Sequence, residues 1–204
     1  MNLDIVIIDD HMEPDDPLIM KLKRNFRDAH FETFQNANDG AEYTLAHLDR
    51  KIVVFLDCRF DVGISGFDAL KRIREKTSLV YIVMMSANSL VQLDTDDFLQ
   101  FMINHRGIFF INNRETDKAV ELVHKVNHLM DTKLDCILEQ WVLSHDDKKL
   151  DAPYIIDDKG NSLTLKNVLD EVRQQTELGE TLERNIILLA IDLLTRNKRK
   201  LADD

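Results

Sequence analysis

Cysteine is nearly missing from this 204-residue chain. Cys58 and Cys136 stand far apart and have no CxxC spacing. With no secretory signal in sight, they read as reduced cytosolic thiols rather than a disulfide framework. Met1 to Ile8 is too short and too acidic for a signal peptide. No apolar run approaches the ~18 residues that a membrane span needs. The chain therefore reads as cytoplasmic, with no membrane partner. Positive charge is also in deficit. Lys and Arg number 26 against 37 Asp and Glu, giving a net charge of −11 and a pI near 5.1. That balance argues against sequence-independent nucleic-acid binding, which rests on cations neutralising phosphates. The one dense basic stretch, Arg196 to Lys200, also suits a helix C-terminus, where cations complement the dipole. The seven histidines show no metal spacing. Only three prolines occur, and 44% of residues are hydrophobic, a composition that fits a soluble globular protein of one domain plus an appendage.

What is present is a repeated grammar of buried strand followed by acid. The stretch IVVFLDCRFDVGISG, Ile52 to Gly66, begins with five apolar residues and ends its strand in Asp57. Such a run reads as a strand covered on both faces. Asp57 then sits at a strand's carboxyl end, where open α/β sheets place their ligands. Alone, it reads equally as a metal ligand, a nucleophile or a strand cap. Leu3 to Ile8 repeats the pattern and ends in Asp9 and Asp10. Leu79 to Met85 is a third such strand, ending in Ser86. Phe31 to Phe34 and Ile108 to Ile111 supply two more, the latter followed by Asn112 and Asn113.

Helical spacing separates these strands. Leu18, Ile19, Leu22 and Phe26 share a face, Asp39 is a candidate N-cap for a helix with Ala41, Leu45 and Leu48, and Phe67 to Lys76 and Ser89 to His105 also read as helices. Arg114 onward is helical, and its apolar stripe from Val123 to Trp141 predicts a helix that runs on or kinks near Asp131 to Lys133. Trp141 is assigned to the core. The pattern to about residue 131 is five strands alternating with five helices, a parallel, doubly wound sheet covered on both faces.

If the strands are neighbours, Asp9, Asp10, Asp57 and the Ser86 hydroxyl converge on one rim. Carboxylates packed within a few Å repel, which a cation relieves. Hard oxygen donors suit Mg²⁺, which also shares phosphate oxygens. Asp57 then becomes a nucleophile toward phosphorus.

In order and spacing, these segments resemble the receiver domain of two-component response regulators. The segments are IVIIDDH (Ile5 to His11), DGAEYTLAHL (Asp39 to Leu48), VVFLD (Val53 to Asp57), GFDALKRIRE (Gly66 to Glu75) and IVMMSAN (Ile82 to Asn88). The resemblance implies a flavodoxin-like fold over residues 1–131. It implies Asp57 as phosphoacceptor, Mg²⁺ held by Asp9, Asp10, Asp57 and the Arg59 backbone carbonyl, and Ser86 with Phe109 as switch positions. It further implies a histidine kinase or phosphotransfer protein as donor, and no turnover beyond self-phosphotransfer and autodephosphorylation. Two departures stand out. Asn112 occupies the position where the family carries a lysine, so the usual cation beside the phosphoryl group is missing. The loop after Asp57 lacks the family's proline and is one residue longer, and Arg59 is the candidate substitute cation.

Residues 132–204 form a smaller, mostly helical C-terminal region. From Lys133 onward it carries 11 basic and 15 acidic residues. A small hairpin or turn spans Tyr154 to Leu165, a helix follows over Lys166 to Gln175, Gly179 reads as a breaker, and Glu180 to Leu201 reads as a strong helix. The last helix is thick with Ile and Leu from Ile186 to Leu194, and predicts burial on more than one side. The expected output is protein–protein contact or self-association through these helices. The alternatives are a phosphorylation-independent scaffold or dimerisation module, for which Asn112 speaks, and a DNA-binding regulator, which the charge disfavours.

Overall fold

The computed structural model describes residues 3–87, 96–156 and 160–200. Asn88, the start of the helix expected from Ser89, residues 157–159 of the expected turn, and Leu201 lie outside the described residues. The chain divides into two compact units, 1–133 and 134–204.

The first unit runs β1 (Leu3–Ile8), α1 (Pro17–Asn25), β2 (His30–Phe34), α2 (Ala37–Ala46), β3 (Lys51–Asp57), α3 (Gly66–Arg74), β4 (Tyr81–Ser86), α4 (Asp96–Asn104), β5 (Ile108–Asn112) and α5 (Thr116–Thr132). The five strands form one parallel sheet in the order β2-β1-β3-β4-β5. Strands β1, β3 and β4 are central, and their apolar residues from Ile5 to Ile8, Ile52 to Leu56 and Ile82 to Met85 are at most 1% exposed. Each such side chain contributes roughly 1.5–3 kcal/mol on leaving water. Strand β2 is at the edge and half exposed, which is why its sequence, HFETF, mixes polar and apolar residues.

Helix caps depart from expectation at one place. Asn36, not Asp39, caps α2: its side chain accepts from the amides of Asn38 and Asp39. Asp39 sits in the first turn, where its charge complements the helix dipole. Helix α3 starts with a capping box between Ser65 and Asp68.

Helix α5 does not run on. Lys133 is extended (φ −79°, ψ 136°), and a new helix begins at Leu134.

The second unit comprises α6 (Leu134–Leu143), α7 (Asp147–Leu150), β6 (Pro153–Ile156), β7 (Ser162–Thr164), α8 (Leu165–Gln174) and α9 (Glu177–Lys200), with β6 and β7 antiparallel. Its small core joins Cys136, Leu138 and Val142 of α6 to Leu165, Val168, Leu169 and Val172 of α8. Two expectations fail here. Gly179 does not break the helix but lies inside α9, and it is glycine there because a Cβ would stand 2.4 Å from the Glu171 carbonyl oxygen. Its missing side chain is what lets α9 approach α8. Trp141 is 42% exposed rather than core. The apolar stretch of α9, for which the sequence predicts cover by the other tail helices, a second copy or another protein, is exposed within the single chain.

Candidate functional site

The strand order brings the predicted acids to one rim. Residues Ile8 and Leu56 are paired across β1 and β3, Asp57 with Met85 across β3 and β4, and Ser86 with Asn112 across β4 and β5. The carboxyl ends of β1, β3, β4 and β5 therefore lie side by side. The sheet order reverses direction between β1 and β3, and that is where a doubly wound fold opens a crevice.

Asp57 is half-buried, and its Oδ2 accepts from the Arg59 amide at 3.3 Å. Its carboxyl is pushed up to about 6, first by burial and then by the charge of Asp9. Asp9 is 8% exposed, and burial raises its carboxyl too, against the His11 amide donating to its Oδ1 at 2.9 Å. Asp10 differs. Desolvation is its largest influence and raises it, but the Asp61 amide at 2.7 Å and the His11 ring at 2.8 Å together hold its carboxyl below the usual value.

Ligand atoms of Asp9, Asp10 and His11 lie within 4.8 Å of one another, the only such group of three among the described residues. Asp57 stands outside that set, although Asp9 and Asp10 both act on its charge. The donors fit Mg²⁺ on their chemistry: hard carboxylate oxygens, desolvated and mutually repelling, at a rim. Asp9, Asp10 and Asp57 are the residues that would hold it.

The floor of the site is set by close packing. A Cβ on Gly66 would meet the Asp57 carbonyl oxygen at 1.8 Å, so the first residue of α3 lies directly against the backbone of Asp57. Cys58 donates its amide to the Met85 carbonyl at 3.0 Å, and burial pushes its thiol up to about 12. It is protonated and unreactive at neutral pH.

The remaining predicted residues are placed as follows. Ser86 is 3% exposed at the end of β4. The Asn112 side-chain amide donates to the Ala87 carbonyl at 3.0 Å, and its oxygen accepts from the Arg114 amide at 3.1 Å. Asn112 thus ties the end of β5 to the start of the β4–α4 loop. Arg59 is exposed and reaches Asp57 through its backbone N–H. Phe109 is half-buried, stacked on Tyr81 at 6.4 Å with Lys125 Nζ 5.2 Å from its ring centre. Phe110 packs against the core cluster.

Sequence reasoning missed the second ring around the acids. His11 bridges Asp10 and Asp61, at 2.8 and 3.4 Å. The carboxyl of Asp10 thereby pins the loop after β3. Asn113 carries a buried side-chain oxygen with no partner among the described residues. The signal for His11 was present in its place directly after the acid pair; nothing marked Asp61.

No protein-family model matches the sequence, and no curated protein matches it significantly. Solved structures do. The N-terminal domain of an uncharacterized protein from Wolinella succinogenes aligns at 17% identity, covering 63% of this chain and 96% of that one, with a TM-score of 0.50. A response regulator receiver domain protein (CheY-like) from Methanospirillum hungatei aligns at 16% identity over 65% of this chain and 100% of that one, TM-score 0.47. Response regulator protein TrrA from Thermotoga maritima, solved in complex with Mg²⁺ and BeF, aligns at 21% identity over 62% of this chain and 99% of that one, TM-score 0.46. At these identities the likeness is one of fold. The parallel 2-1-3-4-5 sheet with its alternating helices gives residues 1–133 the flavodoxin-like fold of response-regulator receiver domains.

Proposed function

We propose that the chain is a response regulator of a two-component phosphorelay that accepts a phosphoryl group on Asp57 and signals through protein contacts of its second unit. The observation that carries this reading is Asp57 itself: a half-buried carboxyl at the end of the central strand, raised to about 6 and flanked by two further aspartates. At pH 7 it is mostly ionised, and burial leaves it poorly solvated, so it is a competent nucleophile. Its oxygen attacks phosphorus of a phosphohistidine or small acyl phosphate, the donor leaves with the P–N or P–O bond pair, and an acyl phosphate remains on Asp57. When bound, Mg²⁺ would neutralise the charge that builds on the transferring group. Asp9 and Asp10 would hold it. The Arg59 amide keeps the Asp57 carboxylate oriented, and α3 behind Gly66 fixes the backbone from which it projects.

The new phosphoryl group adds about −1.5 to −2 charge at the rim. Ser86 and the Asn112–Ala87 link lie beside it, and they are the elements whose packing this charge would bias. The donor is a histidine kinase or phosphotransfer protein, and turnover goes no further than phosphotransfer to Asp57 and its hydrolysis.

One observation favours a second reading. The Asn112 amide is engaged with Ala87 and carries no charge, so a receiver of this kind also suits a scaffold whose output does not depend on phosphate. Incubation with acetyl phosphate and Mg²⁺ separates the two. The first reading expects labelling of the wild-type chain and none of Asp57→Asn. A wild-type chain that takes no label and does not bind beryllofluoride leaves the scaffold.

A further inference from the structure

From Arg184 to Leu194 every residue of α9 is exposed except Asp192, which is half-exposed and pairs with Arg196 at 2.7 Å. This stretch holds Ile186, Ile187, Leu188, Leu189, Ile191, Leu193 and Leu194, exposed by 38 to 71%. A helix apolar on every side does not persist in water; it is covered. The uncovered area amounts to several hundred Å², and monomeric proteins rarely leave patches beyond ~300–600 Å².

The same unit holds an open apolar groove of about 460 Å³. Ile137 and Trp141 of α6, Tyr154 of β6, and Leu182, Ile186 and Leu189 of α9 line it. Trp141 and Tyr154 are 42% and 53% exposed, with ring centres 6.1 Å apart. An unfilled groove lies along the first half of α9, and an uncovered apolar rod forms its second half.

We infer that a second copy of this chain supplies the cover: α9 packs antiparallel on α9 of the partner, and the Ile191–Leu194 half of each fills the groove of the other. Three observations select this occupant. The first is charge order along the helix. Glu177, Glu180 and Glu183, with Arg184 beside them, precede the apolar stretch with a net charge of −2, and Arg196, Lys198, Arg199 and Lys200 follow it within α9. Antiparallel pairing sets the acidic end of one helix against the basic end of the other, and it opposes the two helix dipoles. Parallel pairing would set like against like. The second is symmetry. Ala190 lies midway between Ile186 and Leu194, so a two-fold axis there faces each against the other, and the small side chain lets the axes approach to ~8–10 Å. The third is length. The nine residues from Ile186 to Leu194 span only ~14 Å as helix, less than half of a ~30 Å bilayer core. No helix among the described residues is long and apolar enough to cross a membrane.

This rests on the reading of the second unit as a protein-contact module and names its partner. It is tested on the full chain. Sedimentation equilibrium is expected to give twice the 23.7 kDa protomer, with or without acetyl phosphate. The pair Leu189→Glu and Leu194→Glu, at exposed positions that leave the fold intact, should weaken the dimer by on the order of 100-fold. Ala190→Cys should cross-link to itself under mild oxidation, whereas Leu194→Cys alone should not. Leu194→Cys mixed with Ile186→Cys, on the same helix face as Ala190, should cross-link, and the wild type with its own two cysteines is the control. A monomer at every concentration overturns the inference, as does self-cross-linking of Leu194→Cys, which would mean parallel pairing. Co-sedimentation of the wild type with phosphatidylserine vesicles, lost in the Glu variants, would assign the helix to a lipid surface instead. Labelling of Asp57 in the same samples reads out the receiver independently, so a failed dimer and a failed phosphoacceptor give different results.

Discussion

The carboxyl of Asp57 is raised to about 6 by burial first and by Asp9 second, so ionising it works against the fold. An acid whose folded value exceeds its unfolded one holds a proton that the unfolded chain has already released. Its contribution is therefore greatest below pH ~4 and is lost as pH rises through about 6. A shift of about two units corresponds to ~3 kcal/mol, which solvent screening at a half-buried site reduces to about 1–2 kcal/mol. In chelator at pH 7.5, Asp57→Asn should thus be more stable than wild type by about that amount, and the gap should be about halved near pH 5 and close only below pH ~4. Urea melts at pH 7.5 and pH 5 measure it; an Asn variant no more stable than wild type means that neither burial nor Asp9 disfavours the ionised carboxyl. Asn112 gives a second prediction at this scale. Asn112→Lys puts a cation where the amide now holds Ala87. Beryllofluoride binding with Mg²⁺ should tighten about tenfold, the size of one charge-assisted hydrogen bond. Weaker binding in a titration would show that the tie to Ala87 matters more than the missing charge.

At the scale of elements, the join between β3 and α3 is the most sharply specified. Gly66→Ala places a methyl 1.8 Å from the Asp57 carbonyl oxygen, and backbone, unlike a side-chain tip, has no rotamer to yield. The helix must move, at a cost of about 1–3 kcal/mol, and Asp57 moves with it. The expected result is a lower melting temperature together with weaker Mg²⁺ binding; a variant with normal values for both would refute the close contact. That contact is also where sequence reasoning stops. The central strands were legible because both faces are buried and the runs are apolar throughout. The acids were legible because each ends such a run. Strand β2 was read one residue short, since half-exposed HFETF carries no clear period. Asn36 was overlooked as the cap of α2 because Asp39 has the same chemistry three residues later. Gly179 reads as a breaker until the Glu171 carbonyl opposite it is known. Trp141 was assigned to the core because apolar spacing says that a face is covered, but not by what; the α9 leucines were read as covered with the cover left open for the same reason. The hydrogen bond from the Asp61 amide to Asp10 joins residues 51 apart, a separation that no local pattern records.

Across the whole molecule, the division at Lys133 and Leu134 sets how the chain should unfold. Each unit has its own core: one is a five-stranded sheet whose three central strands are buried, the other a few apolar residues between α6 and α8. The second is small, and units of that size are marginal without added support. If α9 is covered by a second copy, that support comes from association, and its stability depends on protein concentration. Ligands that bind a folded state raise only the transition of the unit that holds their site. Calorimetry of the full chain should therefore show two transitions that respond to different variables. The larger should rise with millimolar Mg²⁺ and be indifferent to protein concentration. The smaller should rise with protein concentration, be indifferent to Mg²⁺, and fall in the Leu189→Glu, Leu194→Glu variant. The Asp57→Asn variant should do the reverse: its first transition loses part of its Mg²⁺ response, while its second is unchanged. A single transition that shifts with both variables would mean that the two units unfold together, and that charge at the rim reaches α9 through the fold itself.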